Sequence, residues 1–282
     1  MNGKLLLAAA FFAVAPAAIA QSLDGRWDAT VTVNGLEIPF RFDISGDGAA
    51  VKGTFFNGDV RFNSTGGHAG NGSLALNWDY YASRLDATYK DGVLDGKYSQ
   101  ARRAETAEYA FHAKRYTAAP EETGAPKIGG NWIIPTKSPK GESAWHFIVN
   151  QKGSDVSAAI LRIDGDTGAV TGRFKDGKFV LSHFSGTRPL LLEVTLKPDG
   201  SLAILQNKKT ELTAVRAEQA DAKGLPQPTD PMKHTSVKDP QTPFAFSFPD
   251  LNGRIVSNTD ARFQGKVVLV EICGSWCPNC HD

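Results

Sequence analysis

Hydrophobic and polar residues alternate with a two-residue period through the first third of the chain. Trp27, Ala29, Val31 and Val33 alternate with polar residues, and the same period returns over 40–44 and 74–80. Short turn signals separate these runs: Asn34-Gly35, Gly46-Asp47-Gly48, Asn57-Gly58, Asp91-Gly92 and Asp95-Gly96. The pattern predicts about seven or eight antiparallel strands between Ser22 and Tyr116. A meander without helices hides its edges most easily by closing into a small barrel.

The same plan recurs from about Ile128 to Arg216. The segment Leu23–Trp27 matches Ile128–Trp132, and Thr88–Gly92 matches Thr195–Gly200 with one inserted residue. We interpret this as an internal duplication that produces a second small barrel. The Gly-x-Trp opening of each repeat is similar to that of lipocalin-like barrels, in which the tryptophan plugs one end. This resemblance rests on three residues and implies ligand binding only by analogy.

The most specific chemical signal lies near the end of the chain. The aliphatic run Val267–Ile272 predicts one buried strand, and the pair Cys277 and Cys280 follows it almost at once. A cysteine at a helix N-terminus has a lowered pKa and attacks disulfides as a thiolate. Cys277 is therefore the expected nucleophile, Cys280 the resolving thiol one turn later, and Pro278 suits the first helical turn.

The stretch Trp276-Cys277-Pro278-Asn279-Cys280, behind a strand introduced by Gly265-Lys266, resembles the thioredoxin superfamily. It is most similar to the extracytoplasmic TlpA/ResA-like thiol-disulfide oxidoreductases. The resemblance implies an α/β domain with a redox-active Cys277–Cys280 disulfide, flanked by Trp276, Pro278 and Asn279. It also implies that Glu271 is a buried proton shuttle and that Phe244–Asn258 is the family's N-terminal β-hairpin. The implied activity is protein-disulfide reduction.

The resemblance covers only about the last forty residues. The printed sequence stops at Asp282, before the strands and the cis-proline loop that a thioredoxin fold needs. We therefore expect residues 244–282 to be an incomplete domain. A zinc site is an alternative use of Cys277 and Cys280, with Cys273 or His281 as further ligands. For Cys273 itself, the expectation is a buried small hydrophobe rather than a redox partner.

Residues 1–20 have the three parts of a secretory signal peptide. Lys4 supplies the positive charge, Leu5–Val14 the apolar segment, and Ala18-Ile19-Ala20 the small-residue cleavage site before Gln21. An uncleaved anchor is the alternative, although the apolar run is short for a bilayer. The signal predicts a periplasmic or secreted protein with a cleavable leader, in a compartment where disulfides are exchanged.

Charge and composition exclude several classes of partner. The chain has 31 Lys and Arg against 30 Asp and Glu, so no electrostatic footprint for nucleic acid or an anionic membrane is present. Membrane association is expected only through an uncleaved signal. We expect no cofactor and no metal. The expected partners are extracytoplasmic protein thiols and disulfides, together with an electron-donating thiol protein.

These observations predict a mainly β chain that ends in the start of an α/β domain. The expected segments are a signal peptide (1–20), two tandem lipocalin-like β-barrel domains (21–117 and 128–217), linkers (118–127 and 218–243) and the thioredoxin-like part (244–282). The longer linker is polar and proline-bearing, which predicts an extended tether. A competing interpretation is a non-enzymatic protein whose barrels bind a ligand or partner, with an inert C-terminus.

Overall fold

The computed structural model describes residues 22–102, 105–118, 120, 122–234 and 236–274. The predicted signal peptide and the Cys277–Cys280 pair lie outside the described residues. The described part of the chain is mainly β, as the alternating pattern predicts.

The first sheet is antiparallel throughout and has nine strands. Its strands are β1 (Gly25–Val33), β2 (Leu36–Ser45), β3 (Lys52–Asn57), β4 (Val60–Asn63), β5 (Gly66–Gly70), β6 (Ser73–Trp78), β7 (Ser83–Lys90), β8 (Val93–Ala101) and β9 (Thr106–Arg115). Their order is β4-β3-β2-β1-β9-β8-β7-β6-β5, so β4 and β5 are the edges. The sheet curls into a half-barrel, which differs from the closed barrel expected here.

The second sheet closes fully. Its strands are β10 (Gly130–Pro135), β11 (Ala144–Lys152), β12 (Asp155–Arg162), β13 (Gly165–Asp166), β14 (Val170–Lys175), β15 (Lys178–His183), β16 (Leu190–Leu196), β17 (Leu202–Gln206) and β18 (Thr210–Arg216). β10 pairs with both β11 and β18, and β11 also pairs with β12. Eight strands therefore form a closed antiparallel barrel, with β13 as a short addition to β12.

One predicted turn of the first sheet is wrong. Asp95-Gly96 lies inside β8 and pairs with β7 instead of reversing the chain. A Cβ on Gly96 would lie 2.1 Å from the carbonyl oxygen of Asp86 and 2.5 Å from the Cα of Ala87. This glycine therefore permits a close approach of two strands, a second common reason for glycine in a sheet.

The same Trp–Arg contact fixes one end of each sheet. In the first, Trp27 donates its indole N–H to the Leu23 carbonyl (3.0 Å), and the Arg115 guanidinium lies 4.2 Å above the Trp27 ring. In the second, Trp132 donates to the Ile128 carbonyl (2.8 Å), with Arg216 at 4.0 Å from its ring. A guanidinium over an indole face is stabilised electrostatically. We call this arrangement the Trp–Arg brace.

The glycine of each Gly-x-Trp segment is part of this brace. Gly25 and Gly130 have φ values of +126° and +123°, which disfavour any residue with a Cβ. A Cβ on Gly130 would also lie 2.7 Å from Nη1 of Arg216. The two short sequence matches thus correspond to one structural device used twice, at equivalent places in the two sheets.

The two sheets share an apolar core, to which the second unit contributes Phe184 and Leu191. Phe184, in the loop between β15 and β16, is 1% exposed and belongs to the core of the first sheet. Its ring centroid lies 4.9 Å from that of Phe40, 5.3 Å from Tyr98 and 5.4 Å from Phe55. These distances are typical of aromatic packing. Phe184 therefore fills the mouth of the half-barrel at the end opposite the Trp–Arg brace.

Hydrogen bonds surround this aromatic contact. The Tyr98 hydroxyl donates to the Gly186 carbonyl (2.7 Å), and the Ser182 hydroxyl donates to the Pro39 carbonyl (2.5 Å). Burial raises the pKa of Tyr98 far above its ordinary value, so its phenol stays a donor at every physiological pH. The interface thus combines apolar packing with hydrogen bonds between its polar groups.

The segment after the second barrel starts differently from the predicted extended tether. A short helix, α1 (Ala217–Ala222), follows β18 directly and packs the fully buried Ala220 against Ile133 and Ala144. The remaining elements are β19 (Ser247–Pro249), β20 (Ile255–Ser257) and single 3₁₀ turns at Gly48–Ala50, Asp79–Tyr81, Pro231–Lys233 and Ala261–Phe263. No helix in the described part of the chain is long and apolar enough to cross a bilayer.

Replacing Phe184 with alanine is expected to weaken the whole two-sheet unit. Truncation of a fully buried phenylalanine typically costs about 3–5 kcal/mol, because a cavity remains in the core. The loss in unfolding free energy can be measured by urea denaturation followed by tryptophan fluorescence. F56A is the matched control, since Phe56 is only half-buried and lies under Arg41 and Arg61 at the surface. Equal losses in both variants would contradict a special role for Phe184.

Candidate functional site

The segment that precedes the predicted redox pair begins with the expected hairpin. β19 and β20 pair antiparallel, with Phe248 opposite Val256. Asp250 organises the turn: its carboxylate accepts hydrogen bonds from the backbone N–H groups of Asn252 and Arg254, both at 2.9 Å. Aspartate is favoured in turns for this reason. The predicted hairpin within Phe244–Asn258 is therefore present.

A second small turn continues the segment after β20. The 3₁₀ turn Ala261–Phe263 places the Phe263 ring 5.9 Å from that of Phe246, so the turn packs back on the residue that precedes β19. Arg262 donates to the Asp260 carboxylate at 2.9 Å. That hydrogen bond is the main reason why the pKa of Asp260 is lowered. The segment thus has local order of its own.

The predicted buried strand over Val267–Ile272 is not formed in the structure. Residues 267–274 have no regular secondary structure, and Val267, Leu269 and Ile272 are at least 94% exposed. A strand is stabilised by hydrogen bonds to neighbouring strands, and no described strand pairs with this segment. Glu271 and Cys273 are exposed as well, so the expectation of a buried Cys273 is not met in this structure.

The chemical centre of the prediction lies beyond the described part of the chain. Cys277 and Cys280, with their neighbours Trp276, Pro278 and Asn279, are outside the described residues. Their roles and that of Glu271 as a proton shuttle stay predictions. Among the described residues, no group of three or more His, Cys, Asp or Glu side chains is arranged to hold a metal ion.

The structure also contains a feature that the sequence did not indicate. Two adjoining clefts of about 810 and 940 Å³ run between the outer face of the first sheet and the outer face of the second barrel. We call them together the inter-barrel groove. Their walls share Asp28 and Arg41 from the first sheet with Thr171, Gly172 and Arg173 from β14. The buried Phe184 and the hydrogen bonds around it hold these two faces side by side.

Arginine side chains dominate the charge of this groove. Arg41 forms an ion pair with Asp43 and lies 3.9 Å above the Phe56 ring, while Arg26 lies 3.7 Å from the same carboxylate. From the opposite wall, Arg173 pairs with Asp155 at 3.0 Å. These exposed pairs add little stability. The ion pairs nevertheless position three guanidinium groups, from both walls, along the groove.

The interiors of the two β units are filled by their own side chains. In the first, the Phe55 and Trp78 rings are 4.5 Å apart, and Phe42 lies 5.2 Å from Phe55. In the second, Trp132, Phe147 and Phe179 are fully buried together. The described interiors are thus packed with aromatic side chains, as expected of small β-barrels.

The sequence does not identify the groove, although it predicts the polar row that forms part of one wall. Arg26, Asp28, Thr30 and Thr32 are the polar half of the β1 alternation, which predicts an outward-facing row. Which other surface this row faces depends on the docking of the two sheets. That docking is set by Phe184, a residue with no sequence signature of its own.

No family model, curated protein or solved structure matches this chain.

Replacing Asp250 with alanine tests whether the hairpin is held by its turn. Loss of the two backbone N–H bonds to this carboxylate should speed amide hydrogen exchange at Asn252 and Arg254 by about fivefold, since each bond contributes roughly 1 kcal/mol. Exchange can be followed by mass spectrometry of peptides from this segment. D239A is the matched control, because Asp239 caps a turn at Gln241 and Thr242 outside the hairpin. Unchanged exchange in D250A would contradict this account.

Proposed function

We propose that the protein is an extracytoplasmic thiol-disulfide oxidoreductase that reduces protein disulfides through Cys277 and Cys280. The observation that carries the proposal is the order of features at the end of the chain. An ordered hairpin (β19–β20) and a packed turn precede an aliphatic run that leads directly into Trp276-Cys277-Pro278-Asn279-Cys280. This order resembles the TlpA/ResA-like members of the thioredoxin superfamily.

The exposed aliphatic run is consistent with this proposal. Five apolar side chains between Val267 and Ile272 are each at least 43% exposed. Apolar surface of this extent is unfavourable in water and usually marks a contact region. In the proposed fold the run would form a central strand, buried on both faces, and would bring Glu271 into the interior beside the thiols.

The proposed reaction is a two-electron exchange. The Cys277 thiolate attacks one sulfur of a substrate disulfide, the substrate S–S bond breaks, and the second substrate sulfur leaves as a thiol after taking a proton. Cys280 then gives its proton to Glu271 and attacks the Cys277 sulfur. The mixed disulfide breaks, the reduced substrate leaves, and the protein holds a Cys277–Cys280 disulfide. A dithiol protein of the same compartment must return two electrons for the next cycle.

The proposed location agrees with this chemistry. The features of residues 1–20 support export with a cleavable signal, and disulfide exchange takes place outside the cytoplasm. The two β units would then be carried in front of the redox segment, joined to it by a polar, proline-bearing connection that begins after α1. Proline-rich connections act as semi-rigid spacers.

Cysteine variants test the proposal directly. Full-length protein reduced by dithiothreitol is expected to reduce insulin disulfides, and C277S should lower that rate to the uncatalysed background because the attacking thiolate is gone. C280S should instead accumulate a mixed disulfide with the substrate, visible by intact-mass spectrometry. C273S is the matched control and should retain activity, since Cys273 takes no part in the exchange.

Two results would overturn the proposal. One is wild-type protein that shows no two-electron titration of Cys277 and Cys280 in glutathione buffers. The other is stoichiometric zinc that is released by chelation and protects these thiols from alkylation, which would identify a metal site instead.

A further inference from the structure

The inter-barrel groove has the shape of a channel for an extended chain. Arg26, Asp28, Thr30 and Thr32, alternate residues of β1, all face the groove along its length. Alternate residues of a strand are about 6.6 Å apart, so this row spans about 20 Å. The opposite wall repeats the period with Thr171, Arg173 and Lys175 of β14. An extended polypeptide has the same side-chain spacing on each of its faces.

The charge of the groove selects for acidic side chains. Across both clefts basic residues outnumber acidic ones: Arg26, Arg41, Lys114, Lys152, Arg173 and Lys175 stand against Asp28, Glu37, Asp95 and Asp155. The basic excess is larger in the smaller cleft, where Arg26, Arg41, Lys152 and Arg173 face Asp28 and Asp155. Arg41 uses its Nε and Nη2 groups for Asp43, and this pair leaves the Nη1 group for another acceptor. Guanidinium groups bind carboxylates through parallel hydrogen bonds.

The arginines are also held in place before any ligand arrives. The Phe56 ring lies under the Arg41 guanidinium. The Arg26 guanidinium lies 5.1 Å from the centroid of the Tyr116 ring. Side chains that are fixed in advance lose less conformational entropy on binding. The hydroxyl groups of Thr30 and Thr171 line the same walls and can hydrogen-bond to a peptide backbone.

We propose that the inter-barrel groove binds an extended, acidic polypeptide segment, with its carboxylates between Arg26 and Arg41 on one wall and Arg173 on the other. This surface is distinct from the proposed redox segment. Its occupant is a partner protein, and binding requires no change in the state of Cys277 or Cys280.

The test uses the full-length protein and a fluorescein-labelled peptide about ten residues long, which spans the groove in extended form and alternates Glu and Ser. Anisotropy titrations at low and physiological salt give the affinity. R173Q is expected to weaken binding about tenfold, since one charge-assisted hydrogen-bonded pair is lost. K152Q, at an exposed position of the same cleft, should weaken binding in the same direction and guards against misfolding of R173Q.

R84Q is the matched control. Arg84 also pairs with an aspartate on its own sheet face, Asp86 at 2.6 Å, but it lies on β7, outside the groove. The proposal is supported if R173Q and K152Q weaken binding while R84Q matches the wild type. It is overturned if the wild type does not bind, if a Gln-Ser peptide binds equally well, or if R84Q causes the same loss. Tighter binding of oligogalacturonate than of the peptide would also overturn it, in favour of an acidic polysaccharide.

Discussion

The insertion of Phe184 into the first sheet is the contact on which the architecture of the two β units depends. The half-barrel is open at the end opposite its Trp–Arg brace, and its aromatic lining would face water there. Phe184 covers that lining with a ring in contact with Phe40, Phe55 and Tyr98. Because a buried aromatic ring contributes several kcal/mol, this contact outweighs the exposed ion pairs around it. The relative position of the two sheets, and hence the groove, follows from it.

The local elements of the fold could be predicted because their causes are local. Alternation at Trp27, Ala29 and Val31 marks an inward face, and each Gly-x-Trp segment predicts the start of a sheet. Closure could not be predicted, because it depends on whether the edge strands meet, as β11 and β12 do and β4 and β5 do not. Gly96 could not be placed for a related reason: a glycine that permits a turn and one that permits close strand contact look the same in sequence.

The candidate sites also differ in whether their causes are local in the sequence or depend on tertiary contacts. The Cys277–Cys280 motif concerns five consecutive residues, so its chemistry is visible in sequence, as is the turn built on Asp250. The aliphatic run before it has strand-forming residues, yet a strand also needs neighbours, and Val267 and Leu269 have none among the described strands. The groove shows the opposite case. Its residues come from both sheets. They form one site only because the docked sheets place Arg41 and Arg173 on facing walls.

The two β units share a plan but are not interchangeable. Both retain the Trp–Arg brace at one end, where Trp27 and Trp132 occupy equivalent positions. At the other end they differ, because the β15–β16 loop of the second unit supplies the ring that closes the first. The corresponding connection of the first unit, between β6 and β7, stays within its own sheet as the short turn Asp79–Tyr81. The core of the first unit is therefore completed by side chains of the second, and this contact places the two walls of the groove side by side.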